Sequence, residues 1–230
     1  MYNLSFSAIL LLSERQADFA VLSDKGELNM ENKTTKGTRG MVELSLMSAI
    51  IIVMAMTPLG YLKTPFLSIT LLTIPVAVGS IILGPKGGAF LGAVFGATSF
   101  AQALSGAGMT AILFQTHPLG VLFLCFIPRI LEGFLCGLIA KIARKTKYKK
   151  AAFYIAGISC PVLNTILFMG TVITLFYHTE YIRRLVASLG VDNPLAFVVA
   201  LVGIQGVIEA AVCGVLSGTI SMTLAKALKR

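Results

Sequence analysis

Beyond residue 40 the chain alternates long apolar runs with short polar breaks, and the breaks carry glycine, proline or clustered charge. The runs are 41–60, 68–84, 87–105, 119–143, 151–177 and 195–226. Most reach the roughly 20 residues that a helix needs to cross hydrocarbon. The pattern predicts an all-α integral membrane protein with six transmembrane helices. The second run is short for a crossing, and the last is longer than one straight crossing requires. Residues 1–40 differ in kind. Their one apolar run, Phe6 to Leu12, is too short to span, and the basic start and small-residue cleavage site of a secretory signal are missing. They read as a polar, disordered cytoplasmic extension ahead of a six-span membrane domain over 41–230. Met30, followed by a polar and basic leader, reads as a natural start, so residues 1–29 are either that extension or a misplaced start.

Composition supports the membrane reading. Of 230 residues 56% are hydrophobic and 13% charged, with a mean hydropathy of +0.86. A water-soluble interior of this size has no room for so much apolar side chain. The net charge of +9 does not point to nucleic acid, because the cations gather at the ends of apolar runs. With the N-terminus inside, the cytoplasmic side receives Lys33, Lys36, Arg39, Lys86, the stretch "KIARKTKYKK" from Lys141 to Lys150, Lys226, Lys229 and Arg230. The outer side receives Lys63, Arg183 and Arg184. That bias predicts an N-in/C-in topology. Cys125, Cys136, Cys160 and Cys213 stand singly within apolar segments and read as small buried hydrophobes, with no disulfide framework or zinc site.

The break "LGPKGGAFLG" raises the question of a phosphate loop. A P-loop needs G-x-x-x-x-G-K-[ST] between a strand and a helix, so that backbone N–H groups and the lysine converge on phosphates. Here Lys86 precedes Gly87 and Gly88, no Ser or Thr follows it, and both flanks are apolar enough to span. The segment reads as a turn in which glycine and proline reverse the chain. Uphill work by this protein would need a motor on another chain.

Three ionisable residues fall at membrane depth, Arg129, Glu132 and Glu209, each costing about 2.5–3.5 kcal/mol to insert. Arg129 follows Pro128, which places a helix start there after a loop dipping in from outside. Arg129 either locks helices by pairing with Glu132 or Glu209, or offers its fork to a ligand carboxylate. Asn164 and Gln205 are candidate ligand contacts, with helix–helix hydrogen bonding as the alternative. Gln102, Thr98 and Ser99 close the third run, as lining residues or as hydroxyls bonded back to their own helix. His117 and His178 lie singly on the outer side without metal-ligand spacing. Ser45 and Ala49 place two small residues one turn apart in the first span, where another helix can approach closely.

The stretches "ITLLTIPVAVGSIILGPKGGAFLGAVFGATSF", "HPLGVLFLCFIPRILEG" and "NTILFMG" resemble the substrate-binding S components of energy-coupling-factor vitamin transporters, and among these the pantothenate-type branch. The likeness runs from Met41 to Arg230. It implies a six-helix protein of the prokaryotic cytoplasmic membrane that binds a water-soluble vitamin from outside. It also implies a transmembrane scaffold component and two cytoplasmic ATPases as partners, with no catalytic site, metal or cofactor in this chain. Family members dock the scaffold through A-x-x-x-A in the first span. Ser45 and Ala49 hold those positions, the serine keeping the size but departing from the motif. The family's binding site lies between the first outer loop, here Gly60 to Ser68, and the outer halves of spans four to six. Within that region the residues themselves suggest Arg129 for the carboxylate of pantothenate, with Asn164 and Gln205 for its amide and hydroxyls; Gln102, near the outer end of span three, and Glu209 are further candidate substrate contacts. Riboflavin is the alternative vitamin, served by aromatic stacking from among 14 phenylalanines and 6 tyrosines. A stand-alone secondary carrier and an intramembrane enzyme are the rivals from other classes. The second lacks H-E-x-x-H and G-x-S-G motifs, and Glu132 with Glu209 is its one carboxylate pair.

Overall fold

A computed structural model describes residues 38–58, 60–63, 68–106, 108–145, 149–190 and 193–228. The expectations for the extension before Thr38, for the loop tip at 64–67, and for Lys147, Lys229 and Arg230 lie outside the described residues. Helix α1 spans Thr38–Met56. Strands β1 (Tyr61–Lys63) and β2 (Ser68–Thr70) pair antiparallel, with Tyr61 opposite Thr70. Helices α2 (Thr73–Leu104), α3 (Gly108–Thr116), α4 (Pro118–Ala143), α5 (Lys149–Phe176), α6 (Glu180–Leu189) and α7 (Pro194–Ala227) follow. Among the described residues five helices, α1, α2, α4, α5 and most of α7, are long and apolar enough to cross a membrane. From Leu44 onward the chain forms one compact unit.

Helix α2 contains the predicted turn, compressed to one residue. Gly84 leaves the helical region at φ 81°, ψ −172°, a conformation open to a residue without Cβ. Pro85 then starts the next helix, where its missing N–H costs nothing. The two halves of α2 lie side by side, since a Cβ on Gly79 would meet Leu91 and one on Gly88 would meet the Ser80 hydroxyl. Pro85 also leaves the Ile81 carbonyl without the donor a continuous helix would supply. The Arg144 guanidinium donates to that carbonyl and lies 5.3 Å over the Phe153 ring. Among the described residues the apolar run 68–84 becomes helical only from Thr73, because Ser68–Thr70 is strand.

The second half of α2 packs against α4 through glycine. A Cβ on Gly88 would strike the Gly133 carbonyl, one on Gly92 the Arg129 carbonyl, and one on Gly96 the Cys125 carbonyl. Two backbones in contact along successive turns gain dispersion where lipid offers no hydrophobic drive. Gly92→Val is expected to push α4 away and cost roughly 1–3 kcal/mol by overpacking. A lowered melting temperature in detergent, without any change in α1, measures it; an unchanged one would show that the contact yields freely.

Two expectations are corrected. Helix α4 does not begin at Pro128. It starts at Pro118, which follows His117 at the N-cap, and Pro128 lies buried within it. Proline is tolerated there because neighbouring helices in a membrane compensate a lost hydrogen bond. The short helices α3 and α6 were not expected. In α6, Ile182, Leu185, Val186 and Leu189 recur at helical spacing and join the apolar cluster of Leu113, Phe176 and Phe197 at the end of the helices away from Gly84.

Candidate functional site

Register between neighbouring helices decides which polar side chains meet. Helix α4 meets α5 through Arg129 with Asn164, Glu132 with Cys160, and Cys136 with the Ala156 carbonyl. Helix α5 meets α7 with Thr165 beside Gly206 and Ile158 beside Gly214, which sets Asn164 at a level between Gln205 and Glu209. The ends of β2 and the start of α2 close the group. The Thr70 carbonyl accepts from the Thr73 hydroxyl at 3.0 Å and from Cys213 Sγ at 4.0 Å.

Arg129 is the centre of this arrangement. It is 6% exposed, donates from one Nη to Asn164 Oδ1, and lies over the rings of Phe95 at 4.6 Å and Phe168 at 4.8 Å from Cζ. Its Nε has no hydrogen-bond partner among the described residues. Glu132 and Glu209 both lie within electrostatic range of the guanidinium. Neither forms an ion pair with it: among the described residues the ion pairs are Arg39 with Glu43 and Arg184 with Glu180. The helix-locking salt bridge considered from sequence is therefore not formed. Glu132 is fully buried and accepts from Cys160 Sγ at 3.2 Å through Oε1, while its Oε2 and the Oε1 of Glu209 are unpartnered.

Three buried polar atoms in one neighbourhood, one N–H and two carboxylate oxygens, make an arrangement that is costly by itself. Each unsatisfied group forfeits about 1–3 kcal/mol. A small molecule bearing both an anionic acceptor and hydroxyl or amide donors would satisfy all three. The remaining candidates divide. Gln205, half-buried, sits one turn from Glu209 on α7. Gln102, also half-buried, lies seven residues beyond Phe95, about 10 Å along the axis from the ring under the Arg129 guanidinium. Thr98 bonds back to the Phe95 carbonyl at 2.8 Å.

Sequence reasoning missed Phe95 and Phe168. Phe168 follows Asn164 by one turn on α5, a spacing that places both on one face, so its part was readable. Phe95 lies between Gly92 and Gly96 and reads there as core alone. Elsewhere, His117 packs 6.4 Å from the Phe176 ring and His178 5.7 Å from Tyr177. Among the described residues no three His, Cys, Asp or Glu gather to hold a metal. Ser45 and Ala49 are exposed on α1, beside exposed Val42, Leu46 and Val53, while Ile51 faces the interior.

Comparison with known proteins adds an independent line. The family described as "ECF transporter, substrate-specific component" matches residues 39–221. The pantothenic acid transporter PanT of Lactococcus lactis subsp. cremoris (strain MG1363) is 39% identical over 120 residues, covering 48% of this chain and 59% of that protein. The pantothenate transporter PanT of Leuconostoc mesenteroides subsp. mesenteroides is 33% identical over 106 residues, covering 44% of this chain and 50% of that protein. The matches thus span little more than half the length of these relatives.

Proposed function

Because the chain belongs to the family of substrate-specific components of energy-coupling-factor transporters, we propose that it captures pantothenate at the outer face of a prokaryotic cytoplasmic membrane. Its six segments cross with both termini inside, so that the Gly84 end, with Lys86, Arg144 and Lys226, faces the cytoplasm. The observation that carries the reading is Arg129, a buried guanidinium with no carboxylate partner among the described residues and a spare N–H. Pantothenate supplies the missing carboxylate, together with two hydroxyls and an amide. Asn164, Gln205 and Glu209 receive these polar groups, and Gln102 belongs to the approach. The names of the two relatives support the same vitamin.

The chain carries no phosphate loop, so the energy for release comes from partners, a transmembrane scaffold component and two cytoplasmic ATPases. The exposed small patch of Ser45 and Ala49 on α1 is the surface offered to the scaffold. The protein is a binding subunit and not an enzyme.

A panel of water-soluble vitamins tests the assignment by thermal shift on the purified protein in detergent. A ligand at 1,000 times its dissociation constant stabilises the folded state by about 4 kcal/mol. A shift with pantothenate alone is the expected result. A shift with riboflavin alone would keep the class and replace the vitamin, and silence across the panel with folded protein would overturn the reading.

A further inference from the structure

Two rings and one amide surround the Arg129 guanidinium, and none of them is a counterion. Phe95 comes from α2 and Phe168 from α5, and Cζ lies over their rings, 4.6 and 4.8 Å from the centroids. Asn164, also on α5, takes one Nη. A guanidinium is flat, with five N–H groups confined to its edge, so with rings beside Cζ an acceptor is met at that edge. With one Nη engaged by Asn164, the edge that includes the unpartnered Nε remains. The main chain beneath it is also held, since Gly92 brings the α2 backbone against the Arg129 carbonyl.

We infer that Phe168 and Phe95 are positioning residues for ligand recognition, holding the Arg129 guanidinium so that the fork containing Nε presents to the carboxylate side-on. The inference rests on the pantothenate reading and deepens it. The rings need not touch the vitamin. They act by holding the guanidinium in one plane, so that little rotamer freedom is lost when the carboxylate arrives. They also stabilise the charge through their π faces without neutralising it, which an acidic partner would do. Lysine has no flat faces to stack and no fork to present.

Phe168 is half-buried and Phe95 fully buried, so Phe168 is the position to vary. Affinities of pantothenate and of pantothenol, in which a primary alcohol replaces the carboxylate, are measured by calorimetry on the purified protein. Phe168→Leu is expected to weaken pantothenate about tenfold, in line with one desolvated cation–π contact, and to leave pantothenol within about twofold. Phe168→Tyr, which keeps the ring face, is expected to hold the wild-type preference. In an Arg129→Gln background Phe168→Leu should have no further effect on pantothenate. Equal losses for both ligands would overturn the inference, making Phe168 a wall of the site, and so would no loss for either. Wild-type protein that binds neither ligand would overturn the vitamin assignment and this inference with it, whereas the other contrary results leave the assignment standing.

Discussion

Arg129→Ala is expected to weaken pantothenate binding roughly 10- to 150-fold. The estimate follows from the 1.5–3 kcal/mol typical of a hydrogen bond to a charged group, at 1.4 kcal/mol per tenfold. The arginine is buried, so solvent does not screen the loss, and neither Glu132 nor Glu209 can replace a cation. Removing the side chain also leaves Asn164 Oδ1 without the donor it has now. Arg129→Lys should recover only part of the affinity, because a single ammonium cannot serve Asn164 and a carboxylate in one plane. Titration calorimetry reads both variants, with the elution profile of the purified protein as the check on folding. A loss smaller than about fivefold would place the carboxylate elsewhere in the site.

The second large effect concerns transport without binding. Ala49→Leu, and Ser45→Leu beside it, should reduce vitamin uptake by whole cells to background while the affinity of the purified protein stays unchanged. Both positions are exposed on α1, on the side away from Ile51 and the core it joins with Leu72, Val76 and Phe95. A leucine on that exposed face would hold a docking helix at a distance and forfeit the close packing that drives association in lipid. Retained uptake would move the docking surface away from α1. Lost affinity would show that the patch supports the fold instead.

These two variants sample sites of different legibility. Ser45 and Ala49 form a local pattern: their four-residue spacing places them on one helical face whatever surrounds the helix. The outward orientation of that face was not local. It depends on Leu44, Met47 and Ile51 finding α2 as their partner. Arg129 stood out because a charge within an apolar run is costly in any bilayer. Its partner did not stand out. From spacing alone Glu132, three residues on, was as good a candidate as Asn164, which is 35 positions away.

By itself the sequence determined the apolar segments, the turn at Gly84, the absence of a phosphate loop and the residues too polar to be in lipid without a reason. Segment length, glycine–proline chemistry and transfer cost are properties of short stretches and need no neighbour. The tertiary structure decided the rest. It carried the helix of Arg129 back to Pro118, because a proline within a helix is tolerated where adjacent helices compensate it. It set Asn164 and two phenylalanine rings beside Arg129 where a salt bridge had been one alternative, and it left Gln102 about 10 Å along the helix axis beyond the Phe95 ring. Those outcomes follow from the register of α4 against α2 and α5, and against α2 that register is set by glycines at which two backbones touch. Contacts between residues distant along the chain carry no periodicity of their own, so only the folded arrangement could supply them.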